Sequence, residues 1–399
     1  MKKPLLLILL ALLCLVVGHQ SLHAITAQAY ALNNEDNIEQ TLEDNINENL
    51  FSLDFNQLDD VIDNLDKESQ TIFGEDSFFQ KVNRILSGDV GENFGSFLLC
   101  ILDLFFGNIL KYIPVICIIV GIAILGTLIK GVYSKDGHGI EDIINFVCFS
   151  LIVVILSVQC VGLLNEVQGE INTQKMQIDG IFPILLTTLA GIGGTVSVGI
   201  FQSTTAVLAN IITQVFSVVI IPLFLVCFVF SILGNLVQSV KLNQFIELIH
   251  TILKWLIGII FGVFTLIMTV QGIVVGNYDG MSIKASKFAL KSYIPVLGGY
   301  LSDGFNYVAA SGILIKNSVG LAGLILILAS VIPVFVRIIV MAILLKLGGA
   351  IVEPMGAAKV SNFLNQISKL MFYLVGILLV VSFMYIIIIG LIMCVANIV

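Results

Sequence analysis

Charge is what this chain has least of. Only 12% of its 399 residues are charged, about half the ~25% of a soluble domain. The apolar runs that fill the difference are too long and too numerous for one aqueous core, which leaves a membrane-embedded chain. Chemistry-bearing residues are equally sparse. The four histidines, His19, His23, His138 and His250, are scattered without an HExxH pair, and no GxSxG supports a nucleophilic serine. The seven cysteines contain no CxxC pair, so no disulfide framework or zinc site is indicated. Each cysteine lies in an apolar run and reads as a small packing residue. "GIGGT" at Gly191–Thr195 resembles a phosphate loop only superficially, since it follows no strand and no lysine follows its glycines. Asp279 and Asp303, the pair nearest to an intramembrane aspartyl protease, stand at the ends of apolar runs and read as interfacial. Acidic residues deep in several spans, which a proton-coupled carrier needs, are missing.

What charge there is lies unevenly. From Leu32 to Gly95 there are 16 acidic residues against Lys67, Lys81 and Arg84, a balance of −13 in a chain of net −8. The rest therefore carries +5. Such an acidic segment argues against nucleic acid or anionic lipid as its partner.

Before it stands a basic start, Lys2 and Lys3, and a 13-residue apolar core, Leu5 to Val17. The core is short for a span of about 20 residues and reads as a secretory signal over 1–29. Ala27-Gln28-Ala29 would suit a signal peptidase, as would Ala29-Tyr30-Ala31 beside it, and an uncleaved anchor is the alternative. Leu13 before Cys14 does not suit a lipoprotein site.

The acidic region, 30–96, is patterned. Phe55, Leu58, Val61, Ile62 and Leu65 recur at spacings of three and four, with Asp59, Asp60, Asp63 and Asp66 outside the stripe. This is one face of an amphipathic helix. Phe79, Val82 and Leu86 repeat the habit. Two or three short helices are expected, docked on each other, on the membrane body or on a partner.

A multi-pass transmembrane domain is expected from residue 97 to 399. Tyr112–Ile129, Ile144–Leu164, Thr251–Gly276, Val319–Phe335 and Leu370–Asn397 read as spans, and Ile184 to Leu233 is long enough for two. Ile338–Val352 is shorter and reads as a short helix or re-entrant piece, and Phe97–Phe106 as interfacial. The fold class is thus an all-α bundle of about seven or eight transmembrane helices behind a signal peptide and an acidic helical region. Lysine placement puts Lys130, Lys135, the Lys284–Lys291 segment, Lys359 and Lys369 on the cytoplasmic side. The acidic region and a loop at Asn165–Ile181 then lie outside. Lys254, Lys316 and Lys346 read as snorkelling to a headgroup layer, and Arg337 as marking a turn between two apolar runs.

Five of the seven prolines, Pro114, Pro183, Pro222, Pro295 and Pro333, lie in or beside apolar runs, where helix starts suit them. Two GxxxG pairs, Gly258/Gly262 and Gly272/Gly276, are 14 residues apart and so fall within about 40° of one helix face. A glycine groove of this kind suits close helix packing, within the protein or between copies of it as a homo-oligomer. The remaining polar stretch, "KASKFALKSYIPVLGGYLSDG" from Lys284 to Gly304, carries Lys284, Lys287 and Lys291 at helical spacing, within about 60° of arc. A cytoplasm-side interfacial helix fits, with its lysines reaching the phosphates of the lipid bilayer. Pro295 then breaks the helix and Asp303 caps the next.

Several of these stretches together are similar to the stage III sporulation protein AE family of endospore-forming bacteria. They are "LDDVIDNL" (Leu58–Leu65), "VQGI" (Val270–Ile273), "KFALKSYIPVLGGYLSDGFN" (Lys287–Asn306) and "ILIKNSVGLAGLILIL" (Ile313–Leu328). The resemblance implies a non-enzymatic component of the channel between mother cell and forespore, set in the outer forespore membrane. Its implied partners are other stage III A sporulation membrane proteins and a forespore-side channel protein. No nucleic acid and no cofactor is implied. The matching positions Pro295, Gly298, Asp303, Gly320 and Gly323 carry over as signature residues, and no catalytic or metal-binding residue carries over. A stand-alone secondary transporter or permease is the alternative reading, and an intramembrane enzyme the third.

Overall fold

A computed structural model describes residues 46, 48–74, 76–88, 94–133, 138–236, 243–293 and 298–395, with the backbone alone described at 94, 132–133, 138–142, 243, 275–293 and 298–305. Among the described residues nearly everything is helical and there is no strand. Three short helices come first, α1 Asn56–Asp63, α2 Lys67–Phe73 and α3 Phe78–Leu86. Long apolar helices follow: α4 Phe94–Tyr133, α5 His138–Gly191, α6 Thr195–Val215, α7 Ile221–Leu236, α8 Asn243–Tyr293, α9 Gly298–Val352 and α10 Ala358–Cys394. The signal segment lies outside the described residues.

The short helices form where the sequence stops competing with them. Asp66 caps α2, accepting from the Ser69 N–H at 2.9 Å. Ser77 and Gln80 cap α3 reciprocally, each satisfying the other's backbone N–H. Asp59 of α1 accepts from the Phe78 N–H at 2.8 Å, which ties α1 to the start of α3. The Gln70 amide reaches back to the Ile62 and Asp63 carbonyls at 3.2 and 3.1 Å. The buried stripe is Phe55, Leu58, Val61 and Ile62, as the spacing predicts, but in α3 the anchors are Phe78 and Val82, with Phe79 half-buried. Lys81 is itself buried, its Nζ donating to the Phe73 carbonyl at 2.7 Å.

Among the described residues six helical stretches are long and apolar enough to cross a membrane: Gly95–Gly131, Ile143–Gly191, Thr195–Leu236, Gln244–Val274, Asn306–Met355 and Ala358–Cys394. Where the sequence suggested seven or eight spans, helices run on through the expected breaks. Asn165–Ile181, expected as an outside loop, lies inside α5. Val319–Phe335 and Ile338–Val352 belong to one helix, so Arg337 is the middle of α9 and not a turn. Local polarity suggested ends, but packing on neighbouring helices supports the backbone across them. A 50-residue helix is about 75 Å long, more than twice a hydrocarbon layer of ~30 Å. Helices α5 and α9 therefore reach well beyond a single crossing.

The prolines likewise depart from the expected helix starts. Pro114, Pro183 and Pro333 lie inside α4, α5 and α9. Pro222 stands near a start, as the second residue of α7, and the turn before it, Phe216–Ile220, is π-helical. Proline lacks the N–H that would continue the regular ladder, so the chain widens there into a local bulge. "GIGGT" is the sharp turn between α5 and α6. Gly193 takes φ +97, and the Gly193 and Gly194 N–H groups satisfy the Ala190 and Leu189 carbonyls at 3.0 Å.

α9 is the most enclosed of the spanning helices and α8 the least. α9 packs chiefly on α10, α5 and α4, and α2 and α3 also rest on it. α5 and α9 run antiparallel, since Gly312 meets Ile192, Gly323 meets Ile181 and Arg337 meets Glu166. α10 is held to α6 by Tyr385 and Thr213, whose hydroxyls are 3.0 Å apart, and to α7 by Asn235 donating to Gln366 at 2.9 Å.

Candidate functional site

The densest polar chemistry lies where the acidic helices meet the bundle. Arg337 is only 13% exposed at its side chain. Its Nη2 donates to Asp66 Oδ2 at 2.6 Å and Glu68 Oε2 at 2.7 Å, and its Nη1 donates to Glu166 Oε2 at 3.2 Å. The planar fork of a guanidinium can serve three oxygens at once, which a lysine cannot. Two of its partners come from the acidic helices and one from α5, so one side chain joins three parts of the fold. Asp66 divides its work: Oδ1 caps α2, and Oδ2 meets Arg337. Partial burial alone would raise its pKa, but the hydrogen bonds from Ser69 and Arg337 outweigh this and hold it below its ordinary value of 3.8.

An apolar contact supports the same junction. A Cβ placed on Gly180 would lie 2.7 Å from Leu58 Cδ2, so Leu58 of α1 sits in the gap that the glycine leaves in α5. Leu58 is fully buried. A groove of about 520 Å³ opens nearby between α5 and α6, lined mainly by apolar side chains with Asp179, Thr187, Gln202 and Thr205 among them. No group of three His, Cys, Asp or Glu among the described residues could hold a metal ion.

The residues singled out from the sequence are spread over other parts of the fold. Gly258, Gly262, Gly272 and Gly276 all lie on α8. A Cβ at Gly258 or Gly262 would meet nothing within 4 Å, whereas at Gly272 it would be 3.1 Å from Leu391 Cδ2. The side chain environment of Gly276 lies outside the described residues. Lys284, Lys287 and Lys291 fall on the last turns of α8, which continues from its apolar part without a break, and Gly298 and Asp303 open α9. Their side chains, those of Asp279 and the whole of Pro295 lie outside the described residues. Gly320 packs against Met393, and Gly323 approaches Ile181 within 2.8 Å of where a Cβ would stand.

Two basic residues behave differently from expectation. Arg337 is an ion-pairing centre. Lys316 does not snorkel, being fully buried with Nζ donating to the Val395 carbonyl near the end of α10. The partners Glu166, Asp66 and Glu68 carry no local motif. The signal in the sequence was Arg337 itself, the one charged residue between Lys316 and Lys346, since a lone cation in such a stretch needs acidic partners.

A family model described as stage III sporulation protein AE matches residues 77–396. Stage III sporulation protein AE of Bacillus subtilis (strain 168) is similar, 28% identical over 250 residues, which is 61% of this chain and 62% of that relative. The match thus spans under two thirds of the relative's length. No solved structure matches.

Proposed function

The chain belongs to the stage III sporulation protein AE family, a family of sporulation proteins, and from that premise we propose that it is a non-enzymatic, multi-pass component of the channel complex linking mother cell and forespore. Its role there is structural or that of an export gate. The observation that carries this reading is the family match across almost the whole membrane body, residues 77–396. The Arg337 junction supports it. Its guanidinium and three carboxylates are used in pairing elements of the fold.

In this reading the signal segment sends the acidic helices to the extracytoplasmic side, and the protein sits in the mother-cell membrane that faces the forespore. The acidic helices, anchored through Arg337 and Leu58, keep an outer surface for other stage III A proteins and for a forespore-side channel protein. The lysine segment, with Lys284, Lys287 and Lys291, faces the cytoplasmic lipid headgroups, and the α8 glycines offer a packing face to a further helix or a second copy.

A stand-alone secondary transporter is the second reading. Glu170 in α5, only 8% exposed, is the one observation that favours it, because carriers place acidic groups within their bundles. Affinity purification from sporulating cells separates the two. Co-purification of other stage III A proteins is expected. A protein that came down alone, yet drove solute flux by itself in liposomes, would sink the channel-component reading.

A further inference from the structure

One face of α5 carries an unusual run of polar side chains. Glu166, Glu170, Gln174 and Gln177 follow one another at intervals of four, four and three residues, which keeps them on the same side of the helix. Glu166 stands at the rim, held by Arg337. The next three are enclosed: Glu170 is 8% exposed, and Gln174 and Gln177 are 0% exposed. Gln174 Nε2 donates to Glu170 Oε1 at 3.1 Å and to Ser382 Oγ of α10 at 3.0 Å. Ser330 of α9 stands near Glu170, its hydroxyl donating to the Ile327 carbonyl at 3.0 Å. Side chains from three helices therefore converge on one interior point.

Two imbalances remain there. The first is in hydrogen bonding. Gln174 Oε1 and both amide atoms of Gln177 have no hydrogen-bond partner. Buried amides are ordinarily paired, because an unpaired one forfeits its hydration without return. The second is in charge. Asp66, Glu68 and Glu166 already share Arg337. Glu170, deeper in, has no salt bridge among the described residues. A buried carboxylate with no counter-charge is among the costliest arrangements in a protein interior.

One kind of ligand answers the carboxylate and the unpaired carbonyl oxygens of Gln174 and Gln177 together. We infer that Glu170, Gln174 and Gln177, with the Ser330 and Ser382 hydroxyls beside them, form an internal binding site for a small monovalent metal cation. A single carboxylate balances a single positive charge. The amide carbonyls of Gln174 and Gln177 and the two hydroxyls are neutral, hard oxygen donors of the kind that replace an alkali ion's hydration shell. A divalent ion draws on more carboxylates, and softer metals draw on sulfur or imidazole, neither of which is gathered here. The rim at Glu166 supplies a negatively charged approach.

The test uses the full-length protein, purified in detergent, and follows its melting temperature in NaCl, KCl, LiCl or choline chloride at one pH and one ionic strength. At least one alkali cation should raise the melting temperature saturably above choline, by roughly 2–4 °C. Glu170→Gln should remove that increment. Gln177→Leu deletes only a side chain without partners, so it should fold at least as well in choline while losing most of the response. It provides the reading even if Glu170→Gln does not fold. Equal melting in all four salts overturns the inference, as does the same cation response in both variants. Stabilisation by acid alone, without dependence on alkali cations, overturns it as well and assigns the charge on Glu170 to a proton.

Discussion

Leu58 occupies the space that a side chain on Gly180 would need, its Cδ2 2.7 Å from where a Cβ would stand. The two residues belong to different worlds in the sequence, one in the acidic region and one in the midst of a long membrane helix. Their contact, with the Arg337 cluster beside it, holds the acidic helices on the bundle.

Enlarging Gly180 should therefore undock α1. Gly180→Leu forces Leu58 out of its gap at a cost of about 1–3 kcal/mol. Leu58→Ala in the same chain should restore part of the loss, because the two sites share one space and their effects cannot add. Protease sensitivity of residues 56–86 reads the docking, and strictly additive effects would refute the fit.

Arg337→Ala leaves Asp66, Glu68 and Glu166 facing one another without their shared cation. A loss of about 1–3 kcal/mol in the docking of the acidic helices is expected. Arg337→Lys should recover less than half, since a lysine is a point charge and not a fork. Faster amide exchange in α2 is the measurement, and unchanged protection in the alanine variant would count against a docking role.

The junction should also respond to acid. The pKa of Asp66 is lowered in the fold, so its contribution is fully present above the ordinary value of 3.8 and is lost as pH falls through the depressed folded value. Docking should accordingly be insensitive to pH from 7 to about 5, and weaken only below about 4. Asp66→Asn keeps a side chain able to cap α2 but loses the charge. It should dock more weakly at neutral pH and lose part of the acid response. An acid profile identical to that of the unmodified chain would assign the response to other groups.

Replacing Lys284, Lys287 and Lys291 together by glutamate tests the orientation. The positive-inside bias of that segment would be reversed, and insertion or assembly should fail. Reporter fusions after Lys135, Lys291 and Lys359 should all report cytoplasm in the unmodified chain. An extracytoplasmic signal from any of the three would refute the orientation, and normal sporulation with the triple variant would reduce the segment to a connector.

The sequence determined the helical membrane body, the amphipathic stripe of α1 and the family. All three rest on composition, periodicity or the order of short stretches, which survive without knowledge of contacts. Helix ends were less legible. The polar residues from Asn165 to Asp179 look like a loop when read one after another, yet in α5 most of the buried ones share a side facing other helices. Arg337 looks like a boundary for the same reason. A charge between two apolar runs is unfavourable in the middle of a helix only until partners are found, and its partners stand 271, 269 and 171 residues away. The place of Leu58 against Gly180, and the meeting of Glu170, Gln174 and Ser382, were decided only by the tertiary structure. A side chain's nearest neighbours across a bundle follow from how helices cross, and no local pattern in the chain records that.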